Sequence, residues 1–226
     1  MSIRTDMAVE SFSQAGGAEK LQGVKVKNKV IENARLEVTD ITIETQEAAE
    51  KLGRPVGRYI TLTATDSTFD MYSDSFRERA EVIAKAIREL CCGCERFLAV
   101  GLGNYALTSD AVGPLTAEKI FATRHIKSLA KEIDTDDLGE VTVIQPGVLG
   151  NTGIESSEQV KAIAERVTPQ AIIAVDALAC SELSNLGRTI QLCNTGISPG
   201  SGVENARKEL SLSTLGVKCI AIGVPT

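Results

Sequence analysis

The 226-residue sequence predicts an α/β fold: a mostly parallel sheet flanked by helices, with a β-rich decoration toward the N-terminus. Three observations point there. FLAVG (97–101), AIIAV (171–175) and CIAIGV (219–224) are short continuous apolar runs, the mark of strands buried on both faces. Helical stripes lie between these runs, as in a sheet built from crossover units. Upstream, LEVTDITI (36–43) and RYITLTAT (58–65) alternate apolar and polar residues, which predicts half-buried antiparallel strands.

Taken in order, residues 1 to about 30 are polar and weakly patterned, and are expected to form a mobile or loosely docked segment. Gly-Arg-Pro and Val-Gly between the two alternating runs are turn material. Phe76, Ala80, Ile83, Ile87 and Leu90 are spaced 4, 3, 4, 3, the stripe of an amphipathic helix, and Gly93 can stop it. After the strand at 97–101, Pro114 marks a helix start, with Leu115, Ile120, Ile126 and Leu129 on its apolar side. VTVI (141–144) is a strand, and 156–167 is a helix whose Ser156 and Gln159 can form a capping box. TIQLC (189–193) is a further strand. The expected layout is a decoration at about 36–65 and an α/β core at 74–226.

Composition narrows the function classes. Hydrophobic residues make up 43%, enough for a substantial core. The net charge of −6 argues against a broad basic face for nucleic acid. No apolar run reaches membrane-spanning length, and MSIRTDMAVE carries no hydrophobic leader, so a soluble cytoplasmic protein is expected. Cys91-Cys92-Gly93-Cys94 is too tight for an ordinary zinc knuckle, and His125 is the single histidine. Buried thiols and no metal or other cofactor are the expectation.

The candidate site begins at GLGNYALTSDAVGP (101–114). Its glycines half-match a dinucleotide fingerprint, but Thr108, Ser109 and Asp110 intervene before the helix, and the next strand ends VIQPG, without the acid that would hold a ribose. A charge at Asp110 would also repel phosphate. Asp110 has a possible counterpart in Asp176, directly after the apolar run AIIAV. A carboxylate at the end of a buried strand costs desolvation unless it is paired or used. Ends of parallel strands gather functional groups, so the two can meet. Two carboxylates sharing a site do not readily both ionise; one can take a proton from water while the other, protonated, polarises a carbonyl. That is the logic of acid-type peptide hydrolysis, and it needs no metal.

The blocks GLGNYALTSDAVGPLTAEKI, PGVLGNTGIES, AVDALAC, TGISPGSGVENARKELS and IAIGVPT, in this order, resemble the germination protease (spore protease) family of endospore-forming bacteria. The resemblance implies an atypical aspartic endopeptidase of the spore core that degrades small acid-soluble spore proteins during germination. It implies Asp110 and Asp176 as the catalytic pair, a homotetramer, and no nucleic-acid or membrane partner. It also implies a zymogen that clips itself between an acid and a hydrophobic residue followed by alanine, which Asp6-Met7-Ala8 satisfies, leaving residues 1–6 as a short propeptide and 7–226 as one protease domain. Thr152, Gly153 and Glu155 in one loop, and Gly200, Ser201 and Gly202 in another, are candidates for positioning substrate; the bland alternative is that the glycines only permit turns. Arg207 and Lys208 are candidate cations for the acid before the cut, or a solvated helix start.

Two features depart from the family. Ser198 stands where its glycine-rich loop usually carries histidine, and its chains continue past GVPT, so a C-terminal part is expected to be missing. The family fold is similar to that of hydrogenase maturation proteases (phosphorylase/hydrolase-like), which supply one alternative, a metal-dependent endopeptidase. A non-catalytic nucleotide-binding module is the other.

Overall fold

The computed structural model describes residues 5–17, 21–66, 68–129, 135, 138–198 and 209–226. From the N-terminus the elements are α1 (Ala8–Gln14), β1 (Val24–Ile31), β2 (Leu36–Ile43), α2 (Gln46–Leu52), β3 (Gly57–Ala64), α3 (Phe76–Cys91) and β4 (Arg96–Gly101). There follow α4 (Val112–Lys119), α5 (Arg124–Leu129), β5 (Glu140–Ile144), α6 (Leu149–Thr152), α7 (Ser156–Val167) and β6 (Ala171–Leu178). The chain continues with β7 (Thr189–Cys193), α8 (Leu212–Leu215) and β8 (Lys218–Pro225).

All eight strands join one sheet, in the order β1-β2-β3-β7-β8-β6-β4-β5. The fold class is α/β, and the sheet has two halves. β5, β4, β6 and β8 run parallel to one another. β8, β7, β3, β2 and β1 pair antiparallel. The β-rich decoration is therefore a continuation of the core sheet, joined through β3 and β7, and it includes β1, which lay in the stretch read as weakly patterned.

Alternation along the strands divides the core into two layers. On one face Leu98, Val100, Ile172, Ala174 and Cys219 pack with Val160 and Ala164 of α7. On the opposite face Ala171, Leu192, Ile220, Ile60 and Leu62 pack with Ala86, Leu90 and Cys91 of α3. The first face continues toward the antiparallel half, where Ile41, Ile43, Tyr59, Cys193 and Ala221 pack with Ala8 of α1 and Ala48, Ala49 and Leu52 of α2.

Three local expectations change. The N-terminal segment is docked, because Met7 is fully buried and Glu10 is clasped by the loop after β6. The helix expected from Pro114 onward breaks into α4 and α5, with Pro114 in the first turn of α4. The capping box of α7 does not form; the Ser156 hydroxyl donates instead to Gly147 O at 3.1 Å, and the Gln159 amide to Pro146 O at 3.1 Å. Those bonds tie α7 to the loop after β5. Among the cysteines, Cys91, Cys193 and Cys219 are buried, whereas Cys92, at the left-handed end of α3, is exposed.

Candidate active site

Asp176 follows five apolar residues of β6 and is 6% exposed. Period-two alternation puts it on the face of Ile172 and Ala174. Its Oδ1 accepts the Ala177 N–H at 2.9 Å. β4 lies beside β6, and their pairing continues one residue further, through Leu102 N–H to Val175 O at 2.8 Å.

Beyond that bond the chain turns at Gly103, whose φ of 110° is left-handed territory that favours glycine. A Cβ there would lie 2.9 Å from Asp110 Oδ1 and closer still to the Asp110 backbone oxygen. The glycine thus makes room for Asp110 itself. The Asn104 N–H, freed by the turn, donates to Asp110 O at 3.0 Å and to Asp110 Oδ2 at 2.9 Å. The 3-10 turn Thr108–Asp110 packs against β6, and Thr226 at the end of β8 donates its hydroxyl to Ser109 O at 2.6 Å. Behind it, α4 approaches β4 and β6 closely because position 113 is glycine: a Cβ there would meet Val175 O at 2.5 Å and Leu102 N at 2.6 Å. Asp110 and Asp176 therefore stand at the carboxyl ends of adjacent parallel strands, the first half-buried and the second buried. At the glycine turn the Asn104 backbone N–H is turned onto a carboxylate.

The loop 145–151 faces the Asp110 turn across a cavity of about 250 Å³ bordered by Gly103, Asn104, Tyr105, Gln145, Gly147 and Asn151. Thr152 lies one residue beyond; its hydroxyl donates to Ile154 O at 2.9 Å, closing its own loop. Gly153 is the left-handed C-cap of α6 and Glu155 the N-cap of α7. Gly200, Ser201, Gly202, Arg207 and Lys208 lie outside the described residues.

A larger cavity of about 420 Å³ opens over β7 and β8, bordered by Asp6, Arg54, Tyr59, Gln191, Ser198 and Gly223. It brings the expected cleavage segment to the sheet. Asp6 N–H donates to Ala179 O at 2.8 Å, and Ala179 N–H donates to Asp6 Oδ2 at 3.1 Å. Met7 is 0% exposed and Ala8 3%. Arg54 donates to Thr5 O and, at 3.2 Å through Nε, to Ser11 Oγ, in the wall of the cavity that Asp6 also lines. Sequence reasoning passed over Arg54 as part of a turn, and over Gln191 as one residue of a strand. A polar residue at an inward position of TIQLC was the available signal for the second.

The chain as a whole is similar to known proteins. The family model described as germination protease matches residues 3–226. The germination protease of a Clostridium perfringens strain is 39% identical over 230 residues, covering 100% of this chain and 70% of the relative. That of Clostridium tetani is 41% identical over 232 residues with the same coverage, and that of Priestia megaterium 38% over 239 residues, covering 100% and 63%. Among solved structures, a [NiFe] hydrogenase maturation protease, HycI, from Thermococcus kodakarensis matches with a TM-score of 0.40 and 20% identity, over 62% of this chain and 80% of that one. With a family match running from residue 3 to residue 226 and relatives near 40% identity over the whole of this chain, this chain belongs to the germination protease family and is a peptidase.

Proposed function

We propose that this peptidase is an aspartic-type endopeptidase that begins the breakdown of small acid-soluble spore proteins during germination, and that it trims its own N-terminus between Asp6 and Met7. The observation that carries the reading is the juxtaposition at the ends of β4 and β6. Asp110 is held by its contact with Gly103 and Asn104, and its turn packs on the strand that ends in Asp176. A water between the carboxylates would lose a proton to one while the other donates to the carbonyl oxygen of the peptide, giving a tetrahedral adduct that collapses with the amine as leaving group. The proposal extends to a homotetramer in the spore core; the exposed apolar side chains Met71, Tyr72 and Phe76, grouped at the start of α3, support a protein contact there. Among the described residues no helix is long and apolar enough to cross a membrane.

The test compares the full chain with its Asp110→Asn and Asp176→Asn variants on a peptide containing Glu-Ile-Ala, with and without a chelator. Expected is cleavage after Glu by the wild type, indifferent to chelator and lost in both variants, with circular dichroism unchanged. Unimpaired cleavage by either variant would sink the pair, and loss to chelator would point to a metal enzyme.

A further inference from the structure

Gln191 sits in the middle of β7 with its carboxamide buried, 6% exposed. Its Nε2 donates to Asp6 O at 3.1 Å, and its Oε1 accepts the Ala8 N–H at 2.6 Å. The Ala8 N–H can only donate, so the orientation of the amide follows from its partners. The two bonds straddle Met7 and grip the carbonyl of the Asp6–Met7 peptide bond. We infer that Gln191 is a substrate-reading residue of this peptidase, the donor to the carbonyl oxygen of the bond to be cut. The inference rests on the proposed cut between Asp6 and Met7.

The sheet register ties this residue to the candidate aspartates. Gln191 pairs with Gly223 of β8, and Gly223 pairs with Asp176 of β6, so the three form one row across the sheet. Alternation puts Gln191 on the face of Cys193 and Tyr59, the face that carries Asp176. Two strand spacings separate the ends of the row, about 10 Å. Asp6 is tethered to one end of the row through Gln191, and beyond the other end to Ala179, three residues past Asp176. The residue between the ends of the row is Gly223, which adds no side chain of its own. Leu178 leans into that space; a Cβ on Gly223 would meet its Cδ2 at 2.8 Å. Each residue of the segment has a fitted place. The Asp6 carboxylate takes the Ala179 N–H, Met7 is enclosed, and Ala8 is buried in a cluster with Ile41, Ile43 and Ala49. These places match an acid, a large apolar residue and a small one in that order. We therefore assign the same row to substrates bound from another chain.

A donor aimed at the carbonyl oxygen strengthens as that oxygen gains charge, and removing one such donor commonly slows a peptidase about 100- to 1,000-fold. The experiment uses the full chain and its Gln191→Glu and Gln191→Leu variants. Self-trimming is followed by mass spectrometry, kcat and KM on the Glu-Ile-Ala peptide by assay, and docking of α1 by amide exchange. Gln191→Glu retains an acceptor for Ala8 and keeps α1 docked, yet is expected to lose about 100-fold in trimming and in kcat, with KM little changed. Its activity should recover partly as pH falls and the new carboxyl regains a donor proton; Gln191→Leu should show no such recovery. A wild-type rate in Gln191→Glu overturns the inference, as does a loss confined to KM. A wild type that cleaves the peptide without trimming itself overturns the Asp6–Met7 assignment alone, and kcat on the peptide then decides on Gln191. A wild type that does neither overturns both.

Discussion

Glu10 offers a sharp test of how the N-terminal segment is held. It lies in the first turn of α1 and is buried. Its Oε2 accepts the Ser181 N–H at 2.8 Å and the Ser181 hydroxyl at 2.6 Å; its Oε1 accepts the Glu182 N–H at 3.1 Å and Asn185 Nδ2 at 2.6 Å. Burial alone would raise its pKa, but the hydrogen bonds from Ser181, Thr5 and Asn185 outweigh burial and hold it down at about 2. Glu10→Gln keeps the shape and replaces one acceptor oxygen by an NH2 that faces two donors. Two bonds to a charged acceptor vanish, and buried donors lose their partner. With about 1.5–3 kcal/mol for a bond to a charged group, partial relaxation leaves a cost on the order of 3 kcal/mol for docking α1. That is about a hundredfold in the docked population. The sheet does not depend on this clasp, so the loss should be local. Amide exchange is the assay. Ser11 and Ala15, whose N–H groups bond within the helix to Met7 O and Ser11 O, should exchange about a hundredfold faster, while Leu98 and Ile172 in the core should not change. Because the folded pKa is depressed, the Glu10 contribution is complete above the ordinary value of 4.5 and is lost as pH falls toward about 2. The variant should lack that pH dependence. Unchanged exchange at Ser11 and Ala15, or equal acceleration in the core, would refute the reasoning.

Other outcomes follow from single contacts. Gly113→Ala should cost about 2–3 kcal/mol or more in urea denaturation and abolish cleavage, since its Cβ would press on backbone atoms of the β4–β6 seam and part Asp110 from Asp176. Arg79 is 2% exposed, donates to Ala34 O at 3.0 Å and Thr68 O at 3.1 Å, and pairs with Asp66. Arg79→Met should destabilise by about 3 kcal/mol, seen as a lowered denaturation midpoint, because it strands those acceptors. Thr168 ends α7 with φ 47°, a left-handed conformation that is costly for a β-branched residue. Thr168→Gly should raise stability by about 1 kcal/mol by the same measurement and leave cleavage unchanged.

Seven of the eight strands and their order along the chain were legible because hydrophobic periodicity is local. A run such as AIIAV declares its burial within five residues, and LEVTDITI declares a half-buried strand over its own length. Asp176 became a candidate for a related reason, since a charged residue that ends a buried apolar run must be paired or used, and Asp110, beyond the end of the run at 97–101, was its possible counterpart. The direction of β7, and its place between β3 and β8, were not legible, because TIQLC has the same pattern in either direction. The docking of α1 was missed because its apolar residues are few, and its attachment is a buried carboxylate clasped by a loop about 170 residues away.

By itself, then, the sequence determined seven of the eight strands and the helices α3 and α7, where the two acids stand along the chain, and the resemblance to the family the chain belongs to. Tertiary structure alone decided that Gly103 and Gly113 are small to admit Asp110 and the β4–β6 seam, that Arg54 borders the cavity with Asp6, and that Gln191, Gly223 and Asp176 share a row. The reason is physical. Periodicity reports whether a side chain is buried, but partners across a sheet are set by how distant segments close on one another, which no short window contains.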